Sequence, residues 1–181
     1  MHAGGGFRGT LAHRTRFAVE LIDAVRREIS DDFPLVLRFS QWKQGDYAHK
    51  MAETPGELEA FLKPLTKAGV DWFHCSTRDF NTPEFPGSEL NLAGWTKRLT
   101  GKPTITVGCV GLDTEFLDNT GLKEGRQAAL DPLVRRLENQ EFDLIAVGRA
   151  LLGDPQWANK IRHGRARDIV LFKREHAGVL T

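Results

Sequence analysis

The chain has 181 residues, a formal net charge of +1 and 27% charged side chains of both signs. This length supports one domain with its own hydrophobic core. The chain has neither a dense block of Lys and Arg nor an apolar run near the roughly 20 residues that cross a bilayer, so nucleic-acid and membrane partners are not expected.

The first predicted element after the glycine-rich segment 1–9, which predicts a loop, is a helix capped near Thr10. Apolar residues then recur at spacings of three and four, with charged residues on the opposite side. The apolar positions are Phe17, Leu21, Ile22, Val25 and Ile29. This pattern predicts an amphipathic helix that covers a core.

The next segment, residues 35–40, is almost continuously apolar, which is typical of a parallel strand buried on both faces. Arg38 interrupts it. A second helix is predicted to begin after Thr54 as N-cap, followed by Pro55 and by a glutamate at the third position, as in a capping box. Pro64 lies inside this helix and is expected to kink it or end it early.

The rest of the chain continues the alternation of strands and helices. The predicted elements are strands at 70–76, 103–108 and 143–147, helices at 92–99 and 126–139, a long loop at 77–91, and a short helix after residue 148. Four strands alternating with helices predict a parallel sheet with right-handed crossovers. No Gly-x-Gly-x-x-Gly follows the first strand, which argues against a dinucleotide-binding fold.

Two of the predicted strands end in glycine, at Gly108 and Gly148. Glycine lets a backbone approach an anion closely, and Arg149 adds a forked cation at the start of a helix. This layout predicts a phosphate site, which β/α barrels often build from the loops after their last two strands. The alternatives are ordinary turn glycines and a solvated arginine.

The two cysteines, Cys75 and Cys109, lie far apart and belong to no Cys-x-x-Cys or Cys/His pattern. Neither a disulfide framework nor a metal site is therefore predicted, and a reducing cytoplasm fits best. The cysteines are interpreted as small apolar residues at strand ends, and His49, His74 and His163 as structural or surface residues.

Several of these segments together resemble the C-terminal half of old yellow enzyme-type NADH:flavin oxidoreductases, which are FMN-containing β/α barrels. The segments that carry the resemblance are residues 14–26, 35–40, 106–108 and 147–155. The resemblance implies half of a (β/α)8 TIM barrel, with four parallel strands alternating with helices and the N-terminal half missing. Residues 1–181 are then expected to form a single half-barrel FMN-binding domain.

The resemblance also implies roles for individual residues. Arg38 would reach the pyrimidine edge of the flavin, where a cation stabilises negative charge on the reduced ring. Gly108 and the backbone of Cys109 would approach the FMN phosphate from one strand, and Gly148 and Arg149 from the next. Phe80 or Phe85 is a candidate to cover the apolar edge of the flavin. For Arg38 the alternative is an arginine paired with a carboxylate from a neighbouring loop.

In the family, the substrate-binding His/Asn or His/His pair and the proton-donating tyrosine lie on strands that have no counterpart here. The chain is therefore expected to be the FMN-binding part of an NAD(P)H-dependent ene-reductase acting on activated alkenes, incomplete for catalysis alone. Open strand edges predict self-association or a complementing N-terminal half. The alternatives are an inert flavin- or phosphate-binding module and a nonfunctional truncation.

Overall fold

The computed structural model of the protein describes residues 11–118 and 121–178. Its strands are β1 (Val36–Phe39), β2 (Trp72–Ser76), β3 (Thr104–Val107), β4 (Leu117–Asp118), β5 (Gly121–Leu122) and β6 (Leu144–Ile145). Strands β1, β2, β3 and β6 pair in parallel in that order, while β4 and β5 form a separate antiparallel pair. The predicted four-stranded parallel sheet is confirmed.

Helices connect these strands. They are α1 (Leu11–Glu28), α2 (Pro55–Lys67), α3 (Leu92–Thr100), α4 (Asp131–Glu138), α5 (Arg149–Gly153) and α6 (Trp157–Arg162), followed by 3₁₀ turns at Ala166–Asp168 and Arg174–Gly178. α2, α3 and α4 each lie between successive parallel strands, as in β/α repeats. The glycine-rich segment 1–9 and the predicted cap at Thr10 lie outside the described residues.

The structure confirms the predicted start of helix α2 and corrects the predicted start of helix α4. The backbone N–H of Glu57 donates to Thr54 Oγ1 at 3.2 Å, which confirms the N-cap. The helix continues past Pro64 to Lys67 and does not end early, because Leu62 and Leu65 on either side of the proline are fully buried. α4 begins at residue 131 and not at 126, because residues 126–128 pair with the loop after β3 instead.

The hydrophobic core lies between the sheet and the helices that cover one face of it. Phe73, Leu58, Leu62, Leu65 and Phe142 are among its largest fully buried side chains. No helix in the described ranges combines the length and the apolar character that a membrane span requires.

The opposite face of the sheet and one side of α1 are open, which corrects two predictions. β1 is not buried on both faces, because it is an edge strand and Val36 is 49% exposed. On α1, Ile22 is buried whereas Phe17, Leu21 and Val25 remain exposed, so the predicted covering face is buried only in part. Leu144 on the other edge strand is 50% exposed.

Candidate functional site

A cavity of about 550 Å³ lies at the carboxyl ends of the four parallel strands. Its walls come from all four strand ends and from the loop after β3. The five predicted site residues, Arg38, Gly108, Cys109, Gly148 and Arg149, all line it. The fold therefore brings together residues as far apart in sequence as Arg38 and Arg149.

The charged residues that line the cavity are all basic. Arg38, Arg78 and Arg149 contribute side chains to it, and none of the described lining residues is an Asp or a Glu. Low-dielectric walls that carry charges of one sign concentrate ions of the opposite sign. The geometry therefore favours an anionic ligand with an apolar body, because Val107, Val110, Leu112 and Phe116 line the same space.

Arg149 follows strand β6 and is buried, with only 7% of its surface exposed. Its guanidinium donates to the backbone oxygen of Lys123 at 2.8 Å and to that of Thr114, and it lies 5.8 Å from the Phe116 ring centroid. Burial lowers the pKa of Arg149, and no carboxylate in the described part of the chain pairs with it. The alternative of a solvated arginine is therefore wrong, and a buried cation of this kind favours an anionic partner.

Glycine is needed at the two strand ends for different structural reasons. A Cβ at Gly148 would meet no atom within 4 Å, so this backbone borders open space in the cavity. Gly108 has a φ of +130°, and a Cβ there would lie 2.7 Å from the Thr77 backbone oxygen. Gly108 is thus required by the close packing of two loops, whereas Gly148 leaves room for a ligand.

Cys109 also has a positive φ, of 52°. Its Sγ donates to the backbone oxygen of Arg78 at 3.2 Å. Burial, together with the nearby Asp79 carboxylate, raises the pKa of Cys109 to about 11. The thiol is therefore protonated at neutral pH and engaged locally, which leaves the backbone as the part of Cys109 available to a ligand.

Arg38 enters the cavity from β1, and its Nη2 donates to Ser76 Oγ at 3.1 Å. Within the described ranges no carboxylate pairs with it, so the alternative of an arginine paired with a loop carboxylate finds no support there. His74 is the register partner of Arg38 on β2. The pKa of His74 is lowered mainly by burial and further by the charge of Arg38. This imidazole is therefore neutral at pH 7 beside the cation.

Sequence reasoning missed Arg78 and Phe116. Phe80 and Phe85, the aromatic residues suggested for the flavin edge, pack into the core and do not line the cavity. Phe116 lines it instead, from a loop that is closed at its base by Arg126 Nε donating to Asp113 Oδ2 at 2.9 Å. One available signal for Arg78 was its place two residues after β2, since residues after parallel strands face this edge.

Comparison with known proteins assigns the chain to a family by its sequence. The sequence pattern of the NADH:flavin oxidoreductase / NADH oxidase family matches residues 5–168. The NADH oxidase of Thermoanaerobacter brockii is 29% identical over 171 residues, which cover 90% of this chain and 23% of that protein. An NADPH dehydrogenase of Bacillus velezensis is 32% identical over 162 residues, covering 87% of this chain and 40% of the relative.

Among solved structures, the old yellow enzyme homologue from Zymomonas mobilis matches with a TM-score of 0.68 at 12% identity, over 99% of this chain and 44% of that one. The chain thus spans less than half the length of these relatives. The shared fold confirms that the four strands form a partial β/α barrel. The chain belongs to the NADH:flavin oxidoreductase / NADH oxidase family.

Proposed function

We propose that residues 1–181 act as one domain that binds FMN and forms the FMN-binding part of an NAD(P)H-dependent oxidoreductase. The observation that carries this proposal is the cavity itself, in which three arginines and two strand-end glycines meet with no carboxylate among the described lining residues. FMN combines a phosphate dianion with a large planar ring, and the cavity combines cations with apolar walls.

The phosphate end of the ligand fits the side of the cavity built by β3 and β6. Arg149 supplies a buried cation, and the open space at Gly148 lets a phosphate approach the backbone. Gly108 and the backbone of Cys109 border the same space from the neighbouring strand. Charge-assisted hydrogen bonds of this kind are about twice as strong as neutral ones.

The ring end of the ligand fits the side toward β1. Ser76 accepts a hydrogen bond from Arg38 and so holds this cation at the cavity wall. A fixed cation at the pyrimidine edge stabilises negative charge on a reduced flavin. When bound, FMN supplies the transfer of hydride from NAD(P)H to the β-carbon of an activated alkene, whose α-carbon receives a proton.

The open inner face of the sheet supports the proposal that a partner completes the barrel. Val36 and Leu144, on the two edge strands, each expose about half of their surface. The unpaired N–H and C=O groups of an edge strand can pair with a strand of another chain. A second copy of this chain or a complementing β/α half would cover both edges. That partner would supply the substrate-binding pair and the proton donor.

A second candidate is a flavin-binding module without catalytic activity. The described cavity lining contains no carboxyl, imidazole or phenol group, and its single thiol, Cys109, has a pKa of about 11. No described lining residue is therefore suited to donate a proton at neutral pH. Within this cavity, the observation favours ligand binding over proton transfer.

Absorption spectroscopy tests the proposal. The purified chain is mixed with FMN, desalted and sized, and its flavin bands are then followed under anaerobic conditions after NADH or NADPH is added. Retained flavin that bleaches supports the oxidoreductase, whereas retained flavin that reacts neither on the chain alone nor after a complementing β/α half is added supports the inert module. Loss of all flavin on desalting would contradict the proposed FMN site.

A further inference from the structure

A second cavity, of about 280 Å³, adjoins the proposed FMN cavity. It lies between the loop after β1 and the loop after β2. The two cavities share four lining residues: Trp42, Ser76, Thr77 and Arg78. This shared wall is the place where a second ligand would lie beside the flavin.

Trp42, a residue of the shared wall, carries a buried hydrogen-bond donor on its indole ring. Its Nε1 is buried and has no partner in the described part of the chain. The preceding Gln41 side chain holds the loop in place, because it accepts from the Ala52 N–H and donates to the Ala52 oxygen, both at 2.9 Å. A buried donor without an acceptor calls for an explanation. Because Trp42, unlike Trp95, lines both cavities, we look for that acceptor on a ligand.

Arg78 presents a cation at the same wall. Its guanidinium carbon lies 3.8 Å from the Tyr47 ring centroid, so the cation is stacked and fixed in orientation. Nε donates to Glu115 Oε2 at 3.0 Å, and Nη2 contacts the same oxygen. Arg78 is largely buried whereas Glu115 is 46% exposed on the loop after β3. The Arg78 guanidinium is therefore already paired with a carboxylate, and that carboxylate belongs to a half-exposed side chain with solvent beside it.

We propose that Trp42 and Arg78 form a binding site for the carboxylate of a small planar ligand, and that Glu115 occupies this site until the ligand displaces it. The Trp42 N–H and the Arg78 guanidinium would both donate to the ligand carboxylate, and Tyr47 would hold the guanidinium in place. The inference deepens the proposed function by naming the chemical class of its second ligand. Binding at this wall is measurable without flavin, so the two proposals fail separately.

Calorimetric titration of the flavin-free chain with benzoate, and with its neutral counterpart benzamide, tests the site. We expect benzoate to bind at least about tenfold more tightly than benzamide, and R78Q to remove this preference. W42F keeps the ring but removes the donor, and is expected to weaken benzoate binding about tenfold. Equal affinity for the two probes in the wild type, or unchanged benzoate affinity in W42F, would overturn the proposal.

Trp95 offers a matched control. Its Nε1 is also buried without a partner in the described ranges, but the residue lines neither cavity. W95F makes the same change away from the site and is expected to leave benzoate affinity unchanged. Equal weakening by W95F and W42F would show a general effect on the fold and would overturn the assignment.

Glu115 gives a test of opposite sign. If its carboxylate competes with the ligand, E115Q is expected to strengthen benzoate binding several-fold. If the Arg78–Glu115 pair only fixes the loop, E115Q weakens benzoate binding or leaves it unchanged, which would overturn the displacement. A parallel FMN titration identifies the acceptor: W42F weakening FMN binding but not benzoate binding would assign this donor to the flavin and overturn the proposal.

Discussion

The two strand-end glycines provide a matched pair of substitutions with opposite expected effects. In G148A the new methyl group meets no atom within 4 Å and projects into open space at the cavity wall. In G108A the new methyl group lies 2.7 Å from the Thr77 backbone oxygen, at a φ of +130°. The first substitution perturbs the ligand site and the second perturbs the fold.

The magnitudes follow from this geometry. G148A is expected to keep every native contact, because the new methyl group meets no atom within 4 Å. A methyl group intruding on a tightly fitted phosphate costs about 1–3 kcal/mol, so the Kd for FMN should rise about 5- to 150-fold. G108A combines backbone strain of about 1–2 kcal/mol with overpacking of about 1–3 kcal/mol, and should destabilise the fold by about 2–5 kcal/mol.

Urea unfolding without FMN measures stability, and quenching of flavin fluorescence on titration measures affinity. The expected result is a stable G148A that binds FMN weakly, together with a G108A whose unfolding midpoint falls. A G148A variant with wild-type FMN affinity would refute the placement of the phosphate at Gly148. A fully stable G108A would refute the packing reason given for Gly108.

Three further predictions concern single side chains. R149M removes a buried cation and should weaken FMN binding by about 2 kcal/mol or more in the same titration; an unchanged Kd would contradict the phosphate assignment. Asp154 is 4% exposed and accepts from Lys160 Nζ at 2.6 Å and from the Gln156 and Val170 N–H groups, so D154N should cost about 3 kcal/mol at pH 7 in urea unfolding. The hydrogen bond from Lys160 is the main reason that the folded pKa of Asp154 lies below its usual value. Its stabilisation is therefore present above about pH 4 and lost as the pH falls through the folded pKa, so D154N should show a shallower acid limb, and equal acid limbs would contradict this role. Cys109, with a pKa of about 11, should react with iodoacetamide at pH 7.5 at least about 100-fold more slowly than a free thiol, as followed by mass spectrometry; a free-thiol rate would show that the thiol is not buried as described.

The order of the elements, and the meeting of the five candidate residues in one cavity, could be expected from the sequence for a physical reason. Parallel strands end at one edge of a sheet, so residues that follow separate strands converge there. Arg38, Gly108 and Gly148 lie at or just after strand ends, and the structure brings them to one cavity. The capping pattern at Thr54 depends only on neighbouring residues, and it was also predicted correctly.

Other features depend on contacts that periodicity does not encode. The apolar pattern of α1 predicts a buried face, but Phe17 is 59% exposed because burial depends on which elements lie beside the helix. Phe116 reaches the cavity through the path of the loop after β3, whereas Phe85 packs against Trp95 with ring centroids 5.5 Å apart. Choosing among aromatic residues in long loops therefore required the three-dimensional structure.

Comparison of FMN with riboflavin measures most directly whether the cavity recognises a phosphate, because the two ligands share the ring and differ in that group. A phosphate held by Arg149 and the strand-end backbones should contribute about 3 kcal/mol, so FMN should bind about 100-fold more tightly than riboflavin. This preference should shrink in R149M. Equal affinity for the two flavins, or binding of neither, would contradict a phosphate anchor at the ends of β3 and β6.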